Sequence, residues 1–187
     1  MTAVTITIPQ LETERLIMRA PGPQDFDVFA DFYVSDRAKF VGGPLDREGS
    51  WRMLAMEIGH WHMAGFGRWI VTPKAGDKAG ATAGIVGLFA PEGWPEPEIG
   101  WDLYQGFEGK GYATEAAIAA RAYAYDVLCW PTAISLVKPG NDASARVCER
   151  LGCTREEDYD HPRHGTVQVW RHPAPDTLVN GGMEAYA

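Results

Sequence analysis

Two rhythms alternate in the spacing of apolar residues, and the changes of rhythm mark out the elements. Residues 11–20, LETERLIMRA, end in an apolar-rich strand pattern that Pro21, Gly22 and Pro23 stop. Over 24–34, Phe26, Phe29 and Phe32 or Tyr33 recur at helical spacing, with Asp25 the candidate cap. Asp46 can cap a second helix on which Trp51, Leu54, Ile58 and Trp61 share one stripe. Three strand-like runs follow: RWIVT at 68–72, GIVGLF at 84–89 and EIGWDL at 98–103. The small polar stretch between the first two predicts a hairpin loop. The prolines at 91, 95 and 97 forbid regular structure before the third.

Beyond 112 the rhythm becomes helical again. Ala113, Ala116, Ala117, Ala120, Ala124 and Val127 form one stripe, with Glu115, Arg121 and Asp126 off it. Residues 132–137, TAISLV, read as a buried strand. Residues 141–151 read as a helix capped near Asn141 or Asp142 and stopped by Gly152. CTREEDY and TVQVWRH predict two antiparallel strands around the turn DHPRHG, and a loosely held tail is expected from about 174. No internal repeat or linker divides the chain, so one domain is expected. A helix between the strands at 98–103 and 132–137 favours parallel pairing there. With a meander before it and a hairpin after, the fold class is α/β or α+β: a mixed, mostly antiparallel sheet of about seven strands flanked by about four helices.

The stretch 107–117, FEGKGYATEAA, is the first candidate for chemistry. Gly109 and Gly111 bracket Lys110 directly before a helix. Glycines there admit conformations forbidden to other residues, and the first helical turn carries N–H groups without internal partners at the positive end of the dipole. That combination makes an anion site, most often for phosphate. The plainer alternative is a helix start with convenient glycines.

Composition narrows the field. The 187 residues suffice for one continuous core. A net charge of -8 argues against a general nucleic-acid binder and is compatible with a cationic or amine-bearing partner. Cys129, Cys148 and Cys153 are an odd set without a disulfide framework, which fits a reducing compartment. The amino terminus has no secretory pattern and no apolar run approaches a membrane span, so a cytoplasmic protein without a membrane partner is expected. His60 and His62 fall on different helix faces. His161, His164 and His172 lack cysteines at zinc-finger spacing, and no metal is expected.

Three motifs in order, TERLIMR with a DF-containing helix, EIGWDL with GKGYATEA, and NDASARVCERLGC, resemble the GNAT acetyltransferase superfamily. Within it they are similar to the RimJ/RimL branch of ribosomal-protein N-terminal acetyltransferases. The resemblance runs from Leu11 to about Trp170. It implies acetyl-CoA as cosubstrate, with the pyrophosphate on the loop and helix start at Glu108, Gly109, Lys110, Gly111, Tyr112, Ala113 and Thr114. Asn141 matches the asparagine that meets the pantetheine arm, Ser144 the serine near the cofactor sulfur, and Glu98 an acidic strand position where a base is often proposed. One departure stands out. Glu108 replaces the usual Gln, Arg or Trp, and a carboxylate beside a diphosphate costs affinity unless it points away.

The implied acceptor is a primary amine, either a protein N-terminus or a small molecule, and a homodimer is a compatible assembly. Near physiological pH an α-amine costs under about 1 kcal/mol to deprotonate and a lysine about 4, so an α-amine needs only a weak base. Period-two alternation puts Glu98, Gly100 and Asp102 on one strand face, opposite Ile99, Trp101 and Leu103. Glu98 and Asp102 are thus candidates for receiving a proton or docking a cationic amine, the plain alternative being a carboxylate paired with Arg or Lys. Ser144 can serve the leaving thiolate or simply start a helix. Tyr112 and Tyr159 are other hydroxyls read mainly as packing, and Cys148 as buried rather than acyl-carrying. Trp94 can line the acceptor entrance or cap the core; Trp51, Trp61 and Trp69 read as core. The alternative function is a non-catalytic acyl-CoA-binding module of the same fold.

Overall fold

A computed structural model describes residues 6–178. In chain order the elements are β1 (Leu11–Glu12), β2 (Leu16–Arg19), α1 (Phe26–Val34), α2 (Arg47–Ala64), β3 (Arg68–Pro73), β4 (Gly84–Phe89), β5 (Glu98–Leu103), α3 (Tyr112–Ala122), β6 (Ile134–Val137), α4 (Asp142–Arg150), β7 (Thr154–Arg155), β8 (Tyr159–His161) and β9 (Gly165–Arg171). The strands lie in the order β1, β2, β3, β4, β5, β6, β9, β7, with β8 also on β9. Every pairing is antiparallel except β5 with β6, the two joined through α3. The result is a mixed α/β fold with a mostly antiparallel open sheet and four α-helices.

Alternation along the central strands sorts side chains into two cores. Trp69 and Val71 of β3, Val86 and Leu88 of β4, and Ile99 of β5 pack against the alanine stripe of α3. Ile70 and Ile85 point the other way, onto Phe29, Phe32 and Tyr33 of α1 and Leu54 of α2. The alanines let α3 lie close to the sheet. On the second face, between the two helices and the strands, sits a buried ionic cluster. Arg68 of β3 pairs with Glu57 of α2 and, at 2.8 Å, with Asp102 of β5, while the Tyr33 hydroxyl donates to Asp102 at 2.9 Å. Burial opposes the charge on Arg68, but the two carboxylates hold it charged.

Several local expectations are corrected. Asp25 stands at the N-cap position of α1 but bonds none of its amides; its carboxylate accepts from the Gly22 amide and pairs with Arg19, closing the turn that precedes the helix. Asp46 does cap α2, accepting from the Gly49 amide at 2.6 Å. Trp51 is 59% exposed rather than core. Ala113, Ala116, Ala117, Ala120 and Ala124 form the expected buried stripe, but Val127 is 60% exposed and Glu115 and Arg121 are buried. A π-helical turn at Tyr123–Val127, closed by the Leu128 amide on the Tyr123 carbonyl, carries Val127 out of phase. Buried Glu115 is satisfied by Thr13 and Arg15; Arg121 donates to the Leu151 carbonyl at 2.7 Å, while its buried Nε has no partner among the described residues. Residues 153–159 form two short strands rather than one, because Glu156, Glu157 and Asp158 turn to solvent. Of the expected tail, Pro175–Thr177 make a 3-10 turn and Leu178 packs on the first core; 179–187 lie outside the described residues.

Removing Arg68 would leave two buried carboxylates facing each other without a counter-charge. Arg68→Ala is expected to lower unfolding free energy by about 3–5 kcal/mol in urea titrations. A loss below about 1 kcal/mol would show the cluster to be dispensable.

Candidate functional site

The site grows out of a parting of two strands. β5 and β6 share one register pair, Glu98 with Ile134, and then diverge. The first ladder bond is made, from the Ile134 amide to the Pro97 carbonyl at 3.0 Å. A regular parallel ladder would next join the Leu136 amide to the Ile99 carbonyl. Instead the Leu136 amide donates to Glu98 Oε1 at 3.1 Å, and the Ser135 hydroxyl donates to the Ile99 carbonyl at 2.6 Å. Two side chains replace one backbone bond, as buried polar backbone requires.

Two cavities open at this parting. One, of about 360 Å³, is lined by Glu98, Asp102 and Trp94, by Phe40 and Met53, and by residues of β6 and the β8–β9 hairpin. The other, of about 840 Å³, runs along the glycine loop and the α4 face. They share Phe40, Trp101, Asp102 and Ser144.

In the smaller cavity Glu98 is 8% exposed. Its second oxygen accepts from the Trp94 indole at 2.6 Å. Burial pushes its carboxyl up to about 7, against the pull of the Leu136 amide and Trp94, which favour the charged form. Gly100 leaves space next to it: a Cβ there would meet only the Glu98 carboxyl, at 3.8 Å. Asp102 faces the same way but is bound to Arg68 and Tyr33, and burial raises its pKa despite them. It is the strand carboxylate of the plain alternative, an ion-paired wall rather than an open docking group. Trp94 lines the cavity as well as bonding Glu98.

In the larger cavity Gly109 and Gly111 have φ of +73° and +80°, conformations that favour glycine. Gly111 caps α3 without any side chain bonding the first turn, so the amides of Tyr112, Ala113 and Thr114 face the groove region unspent. The loop is braced from behind by Arg15, which pairs with Glu115 and donates to the Lys110 carbonyl at 3.0 Å. Lys110 itself lies over the Phe107 ring and is exposed. Glu108 turns away from the amides. It accepts from the Gly106 amide at 2.7 Å and pairs with Arg37. Partial burial opposes its charge, but these donors hold its pKa below the usual range.

Four cations line this groove that the sequence reading did not single out: Arg37, Lys39, Arg146 and Arg150. Two of them were legible, since Ala143, Arg146, Val147 and Arg150 recur at helical spacing on one face of α4. Arg37 and Lys39 come from a 3-10 turn whose position depends on the packing of α1. Asn141 caps α4, its side chain accepting from the Ser144 amide at 3.3 Å, and thereby fixes where Ser144 stands. Ser144 Oγ accepts from the Trp101 indole at 3.3 Å, which leaves its own proton available at the junction of the cavities. Tyr112 lines the larger cavity; Tyr159 lines neither. Cys148 is buried outside both. Among the described residues no group of three or more His, Cys, Asp or Glu is placed to hold a metal, and no helix is long and apolar enough to cross a membrane.

A family model described as an acetyltransferase (GNAT) domain matches residues 15–154, most of the chain, and ends before the β8–β9 hairpin. The chain belongs to the GNAT acetyltransferase family. A crystal structure of an acetyltransferase from Agrobacterium tumefaciens strain C58 is 36% identical, with a TM-score of 0.81 over 92% of this chain and 99% of that one. RimL, a ribosomal L7/L12 α-N-protein acetyltransferase, superposes in its apo form with a TM-score of 0.71 at 15% identity, covering 92% of this chain and 98% of RimL. RimL in complex with coenzyme A gives 0.69 at 15%, covering 89% and 97%. At that identity the likeness to RimL is one of fold. YnaD of Bacillus subtilis strain 168, an uncharacterized N-acetyltransferase, is 37% identical over 59 residues, 32% of this chain and 35% of YnaD. The match to YkkB of the same organism is 33% over 76 residues, 41% of this chain and 40% of YkkB. These alignments thus span well under half the length of either relative.

The raised pKa of Glu98 ties stability to pH. Folding holds the proton that the unfolded chain releases near 4.5, so this contribution is fully present below 4.5 and is lost as pH rises through about 7. The expected loss is about 3 kcal/mol between pH 4 and 8. Glu98→Gln should remove that slope while lowering stability by a constant offset, because its amide cannot accept from Trp94. Urea denaturation of both proteins across this range checks it; parallel profiles would refute the assignment.

Proposed function

We propose that the protein is an acetyl-CoA-dependent N-acetyltransferase of the RimJ/RimL-like branch, moving an acetyl group to a primary amine by direct attack in a ternary complex. The observation that carries this reading is the meeting of the two cavities at Ser144 and Trp101, with a carboxyl poised near neutrality in one and an amide-lined, cation-bordered groove in the other. The groove fits the cosubstrate by its donor set: free helix-start amides for a diphosphate, and Arg146, Arg150 and Lys39 for further phosphate charge. Bound there, acetyl-CoA would supply the thioester whose carbonyl the amine attacks.

The chain's own residues do the rest. Glu98, as carboxylate, takes a proton from the incoming ammonium or through a water. With a pKa near 7 it is both populated as a base and basic enough to act at neutral pH. Ser144 holds a hydroxyl proton for the departing sulfur, oriented by Asn141 through the helix start and by the Trp101 indole. Asn141 keeps its side-chain N–H groups for the pantetheine amides. Glu108 supports the non-catalytic alternative less than its sequence position does, since its carboxylate is spent on Arg37 and the Gly106 amide. The free cysteines fit a cytoplasmic setting.

The test is calorimetric titration with acetyl-CoA followed by thiol release against N-terminal peptides and small amines. Micromolar binding with amine-dependent release is expected; binding without release from any amine would favour the non-catalytic module. Ser144→Ala should reduce kcat by about tenfold to a hundredfold with little change in cosubstrate Kd. A comparable loss of affinity would make Ser144 a binding residue instead.

Glu108→Gln should change the acetyl-CoA Kd by less than about threefold, whereas Arg150→Ala should weaken it by about tenfold in low salt. A large gain on removing the Glu108 charge would show that it opposes the diphosphate after all.

A further inference from the structure

The smaller cavity has charge of opposite sign on different walls. Glu98 and Asp102 of β5 give it an acidic side. The other side is formed by Lys138 at the end of β6, His161 at the end of β8, and Arg163 and His164 in the turn before β9. Among the described residues Lys138 and Arg163 make no ion pair. His164 is held below its usual pKa by burial and by His161, Lys138 and Arg163, three groups close enough for their charges to be felt. One indole spans the distance between the two sides. Trp94 bonds Glu98 and stacks edge-on against His161 at 4.8 Å and His164 at 5.5 Å.

His161 supplies the second observation. It is 5% exposed, and its Nδ1 accepts from the Arg163 amide at 3.1 Å, which places the ring proton on Nε2. That buried Nε2 has no hydrogen-bond partner. A buried donor without an acceptor is costly, and native structures rarely keep one without a use for it. Unpaired cations beside an orphaned donor, on the wall opposite the carboxylates, ask for an anion carried by whatever fills the cavity.

We propose that the amine acceptor also bears a carboxylate, which His161 Nε2–H, Arg163 and Lys138 bind while its amine faces Glu98; the occupant is a small amino acid with an apolar side chain. This rests on the acetyltransferase reading for the fate of the amine, but not for the binding of the carboxylate. The cavity volume of about 360 Å³ suits a molecule of that size. Phe40, Val41, Met53 and Phe89 supply the surface for the apolar body. A protein N-terminus would instead bring a neutral peptide group to the cations.

The first arm measures binding without catalysis: calorimetry with 3-phenylpropionate and with 3-phenylpropionamide, which differ in the carboxylate and lack the amine. The acid should bind at least about tenfold tighter. The gap should close to within about threefold in Arg163→Ala and in Lys138→Ala, both at sites solvent already reaches, and in His161→Gln. Equal binding of acid and amide by the unaltered protein, or a gap that survives all three substitutions, overturns the proposal. The second arm measures thiol release with phenylalanine, phenylalaninamide and peptides with an acidic second residue. The free amino acid should have the lower KM, although its carboxylate keeps the amine more protonated. Turnover of the acidic peptides alone would overturn the small-molecule assignment. Carboxylate binding without turnover of any amine would sustain this site and sink the acetyltransferase reading.

Discussion

The separation of β5 from β6 after a single register pair is the constraint on which the rest of the site depends. Two parallel strands lose ladder bonds where they part, and each freed group must find another partner or water. Here the partners are the Glu98 carboxylate and the Ser135 hydroxyl. That solution has two consequences. It places an ionisable group where solvent scarcely reaches, so its pKa climbs to about 7. It also props open the gap in which the two cavities meet, so Glu98 and the amide-lined groove are neighbours for the same reason that the strands are not.

Charge is arranged locally, against the grain of the whole molecule. The chain carries a net charge of -8, yet its larger groove is bordered by Arg37, Lys39, Arg146 and Arg150. Of these, Arg37 is spent on Glu108, and Arg150 also donates to the Thr114 hydroxyl at 3.2 Å near the start of α3. In the smaller cavity the buried cluster of Arg68, Glu57 and Asp102 ties α2 to β3 and β5, with Tyr33 adding α1. Such a cluster adds little net stability over apolar packing but fixes which groups may sit where. It holds Asp102 in place between Arg68 and Tyr33.

Periodicity carried most of the architecture because both rhythms are enforced by burial on two faces of one sheet. The strands at 68–73, 84–89 and 98–103, the cap at Asn141 and the αL glycines of the loop follow from local chemistry, and local chemistry is written in the sequence. Failures came where tertiary packing overrides the local signal. Arg121 looks like a surface residue off the alanine stripe, yet it is buried with its guanidinium on the Leu151 carbonyl, 30 positions away. The pairing of Arg68 with Asp102 spans 34 positions and depends on the register of three strands. The string DHPRHG carried a signal that its reading as a turn left unused: two histidines and an arginine in six residues, which the hairpin folds over the cavity. Glu108 was the reverse case, a mismatch by motif that geometry resolves.

Glu98 occupies a position where its charge works against stability. Both its oxygens accept from fixed donors, Leu136 N–H and the Trp94 indole, and two donors converging on a carboxyl favour its charged form. Burial favours the neutral one and prevails, though not by enough to disable the group at physiological pH. Fewer donors would push the carboxyl higher and leave it protonated; more water would lower it and leave a weak base. A glutamine in the same pocket could accept from Leu136 but would oppose its amide to the Trp94 N–H. The surroundings therefore hold a carboxyl whose two protonation states lie close in free energy near neutral pH.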